Sequence, residues 1–114
     1  MGLAMTYIDR LAETVRLELP KDARPEEHAV ELYRLYALLV LVRGHRTTLE
    51  DVHDAWSTWM SAYEPTHSSL RPFNELDPDV QEEDRPYLKA ILALAQKNEP
   101  KKADVDRTLR GASG

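Results

Sequence analysis

Residues 32–42 read Leu-Tyr-Arg-Leu-Tyr-Ala-Leu-Leu-Val-Leu-Val, and how this run folds decides the class of the chain. A short apolar run is ambiguous, and Leu38–Val42 taken alone also suits a buried strand. The spacing of Leu32, Tyr33, Tyr36, Ala37 and Val40 is instead helical, and it continues unbroken through the run. The segment from Leu35 to Val42 is apolar nearly all round, which predicts the central, most buried helix. Pro25 suits a first helical position, with Glu26 and Glu27 opposing the positive end of the helix dipole. Gly44 is the natural stop.

Working outward, Ile8, Leu11, Ala12, Val15 and Leu19 recur at helical spacing behind Thr6, a capping residue, and end at Pro20. Downstream, Thr48 with Asp51 three residues on forms an acidic capping box. It opens a third helix whose face carries Leu49, Val52, Trp56, Trp59, Met60 and Tyr63. Pro65 ends that helix. The stretch from Glu64 to Asp77 reads as a loop, but Leu70, Pro72, Phe73 and Leu76 give it enough apolar surface to be pinned to the core. Asp77 and Pro78 start a fourth helix carrying Val80, Asp84, Tyr87, Leu88, Ile91, Leu92 and Ala95. Pro86 lies inside its pattern, which predicts a kink or a restart near Arg85. The fold expected is all-α: a compact bundle of about four helices over residues 5–97, with an anchored loop before the last one. Residues 98–114 read as a flexible polar tail.

Composition narrows the function classes. The 114 residues fit one domain, and the absence of cysteine removes disulfides and thiolate chemistry. No basic region followed by an apolar run opens the chain, and the longest apolar run, Ala37–Val42, is far below the ~20 residues of a membrane span. A cytoplasmic location is expected. The net charge of −5 is unevenly spread: Glu75–Arg85 holds six acids and one base, while the tail from Lys97 is net basic. A body of that sign repels phosphate backbones, so nucleic acid is not an expected partner.

The chemistry-bearing residues gather in 53–84: His53 and Trp56 in a His-Asp-Ala-Trp sequence, then His67, Leu70, Arg71-Pro72-Phe73, Glu75-Leu76 and Asp84. In order and spacing this resembles the RyR domain, the helical repeat of ryanodine receptors that also occurs as a stand-alone domain in bacteria and phages. That family has a His-x-x-Trp helix, a His-Pro-x-Leu-x-Pro-Tyr loop, a Leu-Pro-Glu-Glu helix start and a trailing Asp. Residues 5–95 also look like small uncharacterised bacterial and phage proteins with Val-His-Asp-Ala-Trp and Arg-Pro-Phe-x-Glu-Leu signatures. The RyR domain carries a longer insertion with a Gly-Trp-x-Tyr-Gly element before its second His. Here only Trp59 and Tyr63 stand in the ten residues between Trp56 and His67. The resemblance implies a binding module for a nucleotide-like ligand.

From the residues themselves, a small-molecule or peptide pocket is expected between the third helix and the loop, lined by His53, Trp56, His67, Arg71 and Phe73. The bland alternative is that His53 fixes the loop by a backbone hydrogen bond and the tryptophans are core. Asp84, on the inner face of the last helix, is expected to reach His53 or Arg71, because a buried charge needs a partner. A Ser68 or Ser69–His53–Asp84 triad can be written, but it has no nucleophile-elbow context. The four histidines show no paired ligand spacing, the acids show no calcium-loop pattern, and the glycines are too far apart for a phosphate loop. No enzyme, metal or cofactor is therefore expected. The second reading is a protein-interaction factor or assembly component, acting on a protein partner or a second copy of itself through the acidic face and tail.

Overall fold

The computed structural model describes residues 5–97; the stretch read as a flexible tail lies outside the described residues. The described residues are helical and contain no strand. Helix α1 spans Tyr7–Glu18, α2 Ala29–Val42, α3 Leu49–Tyr63 and α4 Pro78–Glu82, and a last helix, α5, covers residues 85–97. No helix among these residues is long and apolar enough to cross a membrane.

Two of the starts are set locally. Thr6 and Asp9 form a reciprocal capping box at α1, and Thr48 and Asp51 form another at α3. Each satisfies amide donors that the first helical turn leaves unpaired. Asp51 also pairs with Arg43 at 2.9 Å, tying the start of α3 to the end of α2. Between those helices Gly44 takes the left-handed conformation (φ 55°) that a side chain would disfavour.

The start of α2 departs from the sequence expectation. Pro25 lies in an irregular connector after a 3-10 turn at Lys21–Ala23, and the helix begins only at Ala29. Tertiary donors hold that connector open. Tyr33 Oη–H donates to the Pro25 carbonyl and Tyr87 Oη–H to that of Ala23, both at 2.9 Å. Trp59 Nε1–H donates to the His28 carbonyl at 2.7 Å. His28 takes a left-handed conformation (φ 54°), and its ring stacks on Tyr63 at 4.6 Å.

The core runs along the inner faces of α1, α2 and α5, with Val15, Leu32, Tyr36 and Ile91 fully buried and Val52 joining from α3. Helix α2 is central, as expected, but it is not enclosed. Tyr36, Ala37 and Val40 are buried, whereas Leu38, Leu41 and Val42 are exposed, Val42 by 64%. Too few helices surround α2 to cover both its sides. The predicted break near Arg85 is a restart: α4 ends at Glu82, residues 83–84 turn, and α5 resumes with Pro86 in its first turn, where the missing amide costs nothing. That turn is what brings Asp84 inward.

Candidate functional site

His53 projects from α3 and is 3% exposed. Its Nε2 lies 2.7 Å from the Arg71 carbonyl, 18 residues on, so in the neutral ring this nitrogen carries the proton and donates it. Ser57 Oγ is 3.3 Å from the same nitrogen. Across the ring, Nδ1 faces Asp84 Oδ2 at 3.9 Å. Burial pushes the Asp84 carboxyl up to about 6; His53 pulls it back and Glu83 adds to the rise.

The loop 64–77 is held at two points. His53 grips the Arg71 carbonyl, and Gln81 Nε2 donates to the Phe73 carbonyl at 2.9 Å. Leu76 is buried beneath the 3-10 turn Phe73–Glu75. His67 Nδ1 accepts the Ser69 amide at 3.0 Å, and its ring stands edge-on to Trp56 with centroids 5.0 Å apart.

These elements border a partly open cavity of about 290 Å³ between α2, α3, the loop and the α4–α5 turn. That is near the lower end of small-ligand sites. Its walls carry Tyr36, His53, Trp56, Trp59, His67, Glu83, Asp84 and Tyr87, with Pro25, Leu32 and Val80 as apolar lining. Tyr36 sets it apart from an ordinary packing gap. The residue is fully buried, its ring stacks on Tyr87 at 5.6 Å, and its hydroxyl finds no hydrogen-bond partner among the described residues. Burial, reinforced by Asp84, holds that phenol well above its ordinary range, so it keeps its proton and remains a donor.

Of the residues expected to form a pocket, His53, Trp56 and His67 line the cavity. Arg71 is exposed and turns its guanidinium to Glu75 at 3.7 Å, contributing only its carbonyl. Phe73 packs against His53 at 6.1 Å, behind the wall rather than in it. Tyr36, Tyr87, Trp59 and Glu83 were not among the residues expected to line a pocket. Tyr36 and Trp59 read as core positions, and nothing local in the sequence shows that α2 and the α4–α5 turn close the same space. A larger groove of about 660 Å³ lies between α1 and α2. Three of its cations are already engaged: Arg16 with Glu13, Arg34 with Asp9, and Arg24 with the Leu17 and Leu19 carbonyls. Among the described residues no group of three or more His, Cys, Asp or Glu is placed to hold a metal ion.

The geometry defines a small all-helical domain with an aromatic-walled, carboxylate-bearing cavity. The chain belongs to the family of DUF7701, a domain of unknown function, whose signature matches residues 6–96. No curated protein and no solved structure matches the chain.

Proposed function

We propose that the domain is a non-catalytic binding module that takes a small ligand in the cavity between α2, α3, the loop and the α4–α5 turn. One observation carries this reading: the unpartnered hydroxyl of the buried Tyr36 at the cavity wall. A buried donor without a partner costs about 1–3 kcal/mol, which a core position gives no reason to accept. The two neighbouring tyrosines, Tyr33 and Tyr87, both spend their hydroxyls on connector carbonyls, so the fold is able to satisfy such groups. A ligand group bonded to that hydroxyl, which can donate or accept, would recover the cost on binding.

The likeness to the RyR domain enters at the same place, since His53, Trp56 and His67 are among the residues that carry it and all three border the cavity. His53 serves the bland and the functional reading at once, fixing the loop through Nε2 while bordering the cavity. Catalysis is not part of the proposal, because the serine within reach of His53 is Ser57, one turn along α3, and the ring nitrogen it faces already donates to the Arg71 carbonyl and so cannot take a serine proton. The partner-binding alternative has less behind it: Glu82 is spent on Arg85 at 2.9 Å and Glu75 on Arg71.

Differential scanning fluorimetry of the chain against a metabolite library tests the reading, with Trp56→Ala in parallel. Compounds that raise the melting temperature of the parent but not of Trp56→Ala are the expected outcome. A library that stabilises neither protein, or both equally, counts against the cavity.

A further inference from the structure

Resting on the binding-module reading, the charge of the cavity indicates what it binds. Two carboxylates, Glu83 and Asp84, face it, and no lysine or arginine is among its lining residues. The guanidinium groups of Arg71 and Arg85 pair elsewhere, with Glu75 and Glu82. The side chain of Asp84 is 13% exposed, and its only ion-pair partner among the described residues is a histidine at 3.9 Å, beyond hydrogen-bond reach. A carboxyl desolvated to that degree either keeps its proton or is met by a counter-charge. The walls add four aromatic rings, Tyr36, Trp56, Trp59 and Tyr87, whose negative π-faces attract cations and are indifferent to anions.

We infer that the cavity takes a small organic cation, an ammonium or guanidinium group on a short apolar stem. Its N–H donors meet Asp84, its charge lies among the tryptophan and tyrosine rings, and its stem runs over Leu32 and Val80. A phosphate or carboxylate ligand would enter against Glu83 and Asp84 with no cation in the wall to receive it. The nucleotide-like ligand suggested by the RyR resemblance fits this wall through a base alone, without its phosphates.

The test is an NMR titration of the full chain, following the indole N–H signals of Trp56 and Trp59, with butylammonium, butylguanidinium, 1-butanol, butyrate and adenosine monophosphate as probes. The first three probes share a butyl stem and butyrate carries a propyl one, so the four differ chiefly in the head group. The two cations are expected to shift the indole signals saturably and to bind about tenfold tighter than 1-butanol, the size of one cation–π or ion-pair contribution. Butyrate is expected to leave the signals in place, and Asp84→Asn to abolish the preference for cations while keeping the fold. Equal binding of 1-butanol, or preferential binding of butyrate or adenosine monophosphate, overturns the cation assignment and leaves the cavity as a site. Failure of all five probes to move either indole overturns both.

Discussion

Asp84 Oδ2 faces His53 Nδ1 at 3.9 Å, across the seam where the α4–α5 turn meets α3. The other ring nitrogen is spent on the Arg71 carbonyl, so the pair joins three segments distant in sequence: α3, the loop and the turn. The carboxyl is held up to about 6, against 3.8 unperturbed, which makes stability depend on pH in a defined direction. The native state holds this proton more tightly than the unfolded state, so stability falls as pH rises from about 4 to 6 and the loss is complete above that window. A shift of that size corresponds to at most about 3 kcal/mol, and the carboxyl's solvent-facing edge brings the expected effect to about 1–2 kcal/mol. Asp84→Asn should therefore melt higher than the parent at pH 7.5 and level with it at pH 4. Melting curves across that range check this; a constant difference would show that Asp84 ionises freely.

The three buried or half-buried tyrosines should part company on loss of their hydroxyls. Tyr33→Phe and Tyr87→Phe each remove a donor to a connector carbonyl and should cost about 1 kcal/mol. Tyr36→Phe removes a hydroxyl with no partner and should be neutral or stabilising by up to about 1 kcal/mol. Urea unfolding of the three variants decides it. A destabilised Tyr36→Phe would mean that the hydroxyl is already satisfied.

His53→Ala should do more than open a gap. Losing the hydrogen bond to Arg71 and the packing on Phe73 should cost about 2–3 kcal/mol. The amides of Leu70 and Glu75, bonded within the loop, should then exchange much faster than those at the centre of α2. Hydrogen exchange monitored by NMR separates this from uniform destabilisation, in which both sets would accelerate together.

At the start of α3, Thr48→Ala should cost about 1 kcal/mol. Asp51→Ala should cost more, because Asp51 closes the capping box and also holds Arg43. Chemical denaturation of both variants, with Thr6→Ala as the comparison at the other box, where Asp9 pairs with Arg34 at a longer 3.5 Å, checks the order.

What could be read from the sequence was whatever neighbours within a few residues decide. The helical spacing of Leu32 to Val40, the Thr48–Asp51 box, the restart forced by Pro86 and the pinning of the loop by Leu76 are all local signals, and all four are present in the fold. The start of α2 was misread because Pro25 is a good local start signal, and Tyr33, Trp59 and Tyr87 override it from elsewhere in the chain. The cavity was half legible. His53, Trp56 and His67 stand out as polar or aromatic groups in one segment. Tyr36 does not, since a tyrosine in the middle of an apolar helix reads as core until its hydroxyl is followed to its end.

The holds on the two long connectors share one habit. His53, Trp59, Gln81, Tyr33 and Tyr87 all direct their connector hydrogen bonds to main-chain carbonyls. Every amino acid offers that carbonyl, so these hydrogen bonds are blind to which side chains stand at the exposed connector positions. Substitutions at exposed connector positions such as Lys21, Glu26 or Ser68 can accumulate without loosening the frame. Such positions supply raw material from which relatives of this domain could vary the rim of the cavity while inheriting its walls unchanged.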